Sequence, residues 1–191
     1  MAVLMIAELP GVTAAQYDAV NEKIGIRGDE DAPDGLIQHV VGETGDGLLV
    51  ADVWESQEQF ERFFAERAGP AFAEVGAPPA EPRIYPVRNL IRRGSGTDAN
   101  VLLVIEAEDF TPALYDEITS RMAAHAGDGS GHPAVSHVAA TSGGGMVFVD
   151  VWDSEASFGR FAEEQLAPAA GGVDMSALEP RFVPVHNRLA P

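Results

Sequence analysis

Apolar and polar positions along the chain change period in a fixed order, and the order occurs twice. Ala2 to Leu9 is a short apolar run, as is Val101 to Ala107, and both fit a strand buried on its two faces. Thr13 is then placed as an N-cap ahead of Tyr17, Val20 and Ile24 at helical spacing; in the second instance Thr111 and Pro112 precede Tyr115, Ile118 and Met122. Two strands follow, Leu36 to Gly42 and Leu48 to Trp54, joined by a Gly-rich turn. Ser56 with Gln59 forms a capping box for a second helix bearing Phe60, Phe63 and Phe64. A Pro-rich loop, Pro78 to Pro82, leads to a last strand, Arg83 to Leu90. The order βαββαβ is therefore expected twice.

The recurrence is also one of sequence. Asp52-Val53-Trp54-Glu55-Ser56 returns 98 residues later as Asp150-Val151-Trp152-Asp153-Ser154, and Glu81-Pro82-Arg83 as Glu179-Pro180-Arg181. Residues 3–91 align on 101–189 without a gap at about 28 identical positions, roughly 30 per cent. A unit of that length is a whole domain duplicated. We divide the chain into a repeat at 1–91, a polar, glycine-rich linker at 92–99 and a repeat at 100–191. Each repeat has an antiparallel sheet with helices on one face, yet Leu48 to Trp54 is apolar at both parities, so both sheet faces call for cover. The economical α+β architecture packs the two repeats sheet to sheet.

The Asp-Val-Trp-Glu-Ser…Phe-x-x-Phe stretch, Asp52 to Phe63, resembles the strand and helix of antibiotic-biosynthesis-monooxygenase-like members of the dimeric α/β-barrel, ferredoxin-like superfamily, here as a fused tandem pair. The resemblance implies a pseudo-dimeric α/β barrel. It also implies a cofactor-independent monooxygenase or related tailoring enzyme acting on a small hydrophobic, aromatic or polyketide-like molecule, or else a non-catalytic ligand-binding or stress-response barrel.

Hairpin geometry brings out the candidate chemistry. A four-residue turn at Thr44 to Gly47 sets Glu43 against Leu48, His39 against Asp52 and Ile37 against Trp54, whereas a two-residue turn at Thr44 and Gly45 leaves His39 and Asp52 diagonal on the same face; the second repeat offers His137 with Asp150 beside Trp152. A carboxylate orients a neighbouring imidazole and stabilises its protonated form, which prepares a general base. A buried His and Asp that only satisfy each other as a structural pair are the equal alternative. The resemblance casts His39, Asp52, His137 and Asp150 as catalytic, with Tyr17, Trp54, Asn89, Tyr115, Trp152 and Asn187 binding substrate.

Composition narrows the partners. With 30 acidic against 12 basic residues, the net charge of −18 disfavours nucleic acid and anionic membranes, which require clustered cations. Zero cysteines remove disulfides, thiol nucleophiles and thiolate metal sites. No metal motif is present, and a lone His and Asp are too few for zinc. His125, His132 and His186 occur only in the second repeat, opposite Arg27, Asp34 and Arg88. His125 invites comparison with haem-binding, chlorite-dismutase-like relatives, but neither Gln57 to Ala68 nor Glu155 to Ala167 holds the His that haem-degrading members carry there, so no cofactor is expected and a haem-binding barrel stands as the third, least favoured alternative. The start of the chain lacks a secretory signal pattern and no long apolar window occurs, which points to a cytoplasmic monomer with an internal pseudo-dimer, open to further self-association.

Overall fold

A computed structural model describes residues 1–78, 80–93, 98–126, 132–175 and 178–191, with the side chains of residues 125 and 126 outside that description. Residues 94–97 of the 92–99 linker, part of the Pro78 to Pro82 loop and the His125 side chain thus lie outside the described residues. The elements are β1 (Val3–Pro10), α1 (Ala14–Ile24), β2 (Leu36–Glu43), β3 (Gly47–Trp54), α2 (Gln57–Phe63), α3 (Gly69–Glu74) and β4 (Arg83–Arg92). The second series is β5 (Val101–Ala107), α4 (Pro112–Ala126), β6 (Ser136–Ser142), β7 (Gly145–Trp152), α5 (Glu155–Phe161), α6 (Ala167–Ala170) and β8 (Arg181–Leu189). The α+β class and the doubled βαββαβ order are as the hydrophobic pattern predicts.

Local chemistry explains the helix ends. Thr13 and Gln16 form a reciprocal capping box at α1, and Gly25 closes that helix at φ +71°, where a Cβ would be strained. At α2 only half of the expected box forms: Ser56 Oγ accepts from the Gln59 backbone N–H, while the Gln59 side chain turns to the Ser56 hydroxyl and to Glu55. The long second helix of each repeat is not continuous α-helix. It widens into π-helical turns at Phe64–Ala68 and again at Ala162–Leu166. Pro70 and Pro168 stand just beyond; a proline lacks the N–H that would bond four residues back and its ring crowds that carbonyl, so the turn before it opens.

The residues form two compact units, 1–87 with 183–191, and 88–182. In the first, β3 lies between β1 and β2, β1 also pairs with β4, and β2 pairs with β8, all antiparallel. The strand that ends the second repeat therefore completes the sheet of the first unit. Gly42 permits the approach, since a Cβ there would fall 2.6 Å from Val183 Cγ1 and 2.8 Å from the Pro184 carbonyl oxygen. In the second unit β7 lies between β5 and β6, with the later part of β4 beside β6.

The hairpin places Glu43 opposite Leu48 and His39 opposite Asp52, as its turn length predicts. Trp54, however, faces Leu36 and not Ile37, because an irregularity between Leu36 and Gln38 shifts the pairing by one. Both faces of β3 are buried: Leu48, Val50 and Trp54 join the core beneath the helices, while Leu49, Ala51 and Val53 are equally hidden on the other side. Each large apolar side chain so buried contributes about 1.5 to 3 kcal/mol. Among the described residues no helix is long and apolar enough to cross a membrane.

Candidate functional site

Each unit encloses a cavity between sheet and helices, about 290 Å³ in the first and about 240 Å³ in the second. The walls are mostly aliphatic and aromatic. In the first unit they include Trp54, Phe60, Phe63, Phe64 and Phe72, so the π-helical turn supplies part of the lining. Polar groups are few, and in each unit a Tyr, a His, an Asp and an Asn form one chain.

In the first unit that chain has four members. His39 Nδ1 lies 2.6 Å from Asp52 Oδ1, its Nε2 lies 2.6 Å from the Tyr17 hydroxyl, and Asn187 Nδ2 donates to that hydroxyl at 3.2 Å. The Asn amide can only donate, so the hydroxyl accepts from it and gives its own proton to His39 Nε2; the other ring nitrogen then carries the hydrogen that Asp52 accepts. Every donor has an acceptor with the imidazole neutral. The Tyr17 and His39 rings are nearly parallel, 5° apart at 5.9 Å, and the Trp54 indole N–H reaches Asp52 Oδ2 at 3.4 Å. Side chains of His39 and Asp52 are only 12% and 9% exposed. Burial pushes the Tyr17 hydroxyl up to about 12, partly offset by the amides of Asn21 and Asn187. The hydroxyl is thus a neutral donor at ordinary pH.

The second unit repeats the arrangement: Asp150 Oδ1 to His137 Nδ1 at 2.8 Å, His137 Nε2 to Tyr115 at 3.0 Å, and Asn89 Nδ2 to Tyr115 at 2.8 Å. Burial raises the Tyr115 hydroxyl likewise. Here the Trp152 indole N–H is buried with no partner among the described residues, and Trp152 packs on Phe158, Phe161 and His132. Of the residues singled out in the sequence, nine stand in or against the two polar chains, and Trp152 stands behind the second cavity. Each Asn, however, serves the tyrosine of the other repeat.

The repeats differ around these chains. His186 sits edge-on to Tyr17 and bonds Asp18 at 2.8 Å, whereas Arg88, its counterpart, forms a two-point ion pair with Asp116. His132, which sequence reasoning marked only as an asymmetry, lines the second cavity and stacks on His137 at 4.5 Å and 22°. Burial, with the neighbouring imidazole second, pushes His132 down to about 4. His132, His137 and Asp150 each present a ligand-type atom within 4.8 Å of the others. Stacked rings, however, direct their in-plane lone pairs side by side, and both nitrogens of His137 are engaged by Tyr115 and Asp150. The trio is not arranged as a preformed tetrahedral or octahedral site.

No protein-family model and no curated protein matches the sequence. Solved structures do match over nearly the whole chain. A candidate monooxygenase of Lactobacillus acidophilus NCFM has a TM-score of 0.71 at 10% identity, with 99% of this chain and 96% of that one covered. One of Fusobacterium nucleatum has a TM-score of 0.67 at 10% identity, covering 96% and 91%. A ferredoxin-fold protein of Listeria monocytogenes related to antibiotic biosynthesis monooxygenases has a TM-score of 0.54 at 12% identity, covering 98% and 95%. The fold is thus the ferredoxin-like fold of such monooxygenase-like proteins. At these identities the likeness is one of fold alone.

Proposed function

We propose that each cavity binds a small aromatic molecule and that the Tyr–His–Asp chain takes the proton from its hydroxyl. One observation carries the reading: a fully connected polar chain ends in a phenolic hydroxyl at the wall of an otherwise apolar cavity. A substrate hydroxyl that reaches Tyr17 gives its proton to the Tyr oxygen as the Tyr proton passes to His39 Nε2. Asp52 then faces an imidazolium and stabilises it. The apolar wall leaves the substrate anion poorly solvated and electron-rich. Dioxygen is the natural acceptor, one of its atoms becoming a carbonyl oxygen in place of two hydrogens of the substrate and the other leaving as water. The fold of the monooxygenase-like neighbours supports this reaction class.

An oxygen electrode tests the reading with a hydroxylated polycyclic arene. We expect His39→Ala with His137→Ala to abolish oxygen uptake while ligand affinity stays within a few-fold. Undiminished uptake in the double variant would refute the role of the chain. A second reading, ligand binding without turnover, has its own support: His39 Nε2 is already capped by Tyr17, so the chain is saturated at rest. Arene binding with no oxygen uptake in the parent protein would select it.

A further inference from the structure

His132 gives the second cavity a polar group that the first lacks. Its Nδ1 accepts the Ala134 backbone N–H at 3.3 Å, which fixes the neutral ring with its hydrogen on Nε2. That Nε2–H has no protein partner among the described residues. Stacking on His137 and packing on Phe161 and Trp152 hold the ring in place. The low proton affinity of His132 keeps it a neutral donor across the physiological range. The aligned residue of the first repeat, Asp34, is exposed and does not line the first cavity.

The second cavity therefore presents two different functions side by side. Tyr115 with His137 receives a proton, and His132 donates a hydrogen bond. We propose that the second cavity selects an aromatic hydroxy ketone, its hydroxyl at Tyr115 and its carbonyl oxygen at His132 Nε2–H, while the first accepts phenols without regard to a ketone. This rests on the proposed function and names the ligand class for one of its two sites. The discrimination follows from pairing: only a ligand with the carbonyl adds a hydrogen bond to the Nε2–H that the phenol leaves as it is.

Calorimetric titration of the intact protein tests it with two matched probes. One is the hydroxytetralone whose hydroxyl lies meta to the ketone-bearing ring carbon, and the other is the tetrahydronaphthol that lacks the ketone. We expect one class of site to bind the ketone about five- to tenfold more tightly than the phenol, the gain of one well-formed hydrogen bond. His132→Phe, which keeps an aromatic ring for the stack, should erase that preference and leave phenol affinity unchanged; His132→Asn should restore part of it. Equal affinity for both probes, or a preference that survives His132→Phe, overturns the inference while phenol binding leaves the underlying reading intact. If neither probe binds, both fall.

Discussion

Asn187 donates its side-chain amide to the hydroxyl of Tyr17 across 3.2 Å, although 170 residues of chain separate them. Asn89 does the same for Tyr115. The two repeats have exchanged the residue that steadies each tyrosine. Asn187→Leu should therefore weaken ligand binding in the first cavity and Asn89→Leu in the second, each at a stability cost of about 1 kcal/mol. Probe titration of both variants checks this, and a loss confined to the cavity of the mutated repeat would contradict it.

Asp52 sets which nitrogen of His39 carries the hydrogen. In Asp52→Asn the amide can donate to Nδ1, which moves the hydrogen to Nε2 and leaves the Tyr17 hydroxyl without its acceptor. Turnover in the first cavity should drop by about a hundredfold or more with the fold retained. Nitrogen NMR of the His39 ring would report the tautomer directly, and an unchanged tautomer with full activity would dispose of the argument.

The two tryptophans are equivalent in sequence and unequal in bonding. Trp54 reaches Asp52, whereas the Trp152 indole N–H is buried without a partner among the described residues. Replacement by Phe removes similar ring area in both cases, but only at residue 152 does it also remove an unpaired donor. Trp54→Phe should be the more destabilising change, by about 1 kcal/mol, in paired denaturant titrations.

Much of this arrangement was legible in the sequence. The 98-residue offset and the alternation of apolar runs led to the doubled βαββαβ order, and either turn length put His39 and Asp52 on one face, the four-residue one directly opposite. Beyond local register the pattern carried less. The Tyr17 to His39 bond depends on how α1 lies on the sheet, which periodicity does not specify. The Asn187 contact depends on β8 pairing with β2, a pairing of one repeat's strand with the other's. Ile37 missed its place opposite Trp54 because an irregularity in a strand leaves no mark in the alternation. His132 lies in a loop, where no period exists to give it a direction.

Acid should destabilise the protein through His132. Unfolded, its imidazole takes up a proton as pH falls below about 6.5, whereas the folded ring resists until about 4. The unfolded state binds more protons in that window, so stability declines as pH falls from 6.5 towards 4, at up to about 1.4 kcal/mol per pH unit for one proton. His132→Phe should show a shallower decline in melting temperature over the same range, and superimposable slopes would count against it.

Alkali should act through Tyr17 with the opposite sign. The unfolded hydroxyl ionises near 10 and the folded one near 12, so stability falls as pH rises between them. Ultraviolet difference titration of the parent protein against Tyr17→Phe should isolate one phenolate that appears late, and ionisation at the ordinary value would refute the burial argument.

Because β8 belongs to the first unit, a strand of the second repeat is a component of the pocket that the first repeat lines. Clipping the chain after Phe182 would strip Val183 to Pro191, removing Leu189 from the lining of the first cavity and Asn187 from Tyr17, while Asn89, Tyr115 and His137 would be untouched. The duplication has tied the first cavity to a strand that the second repeat supplies.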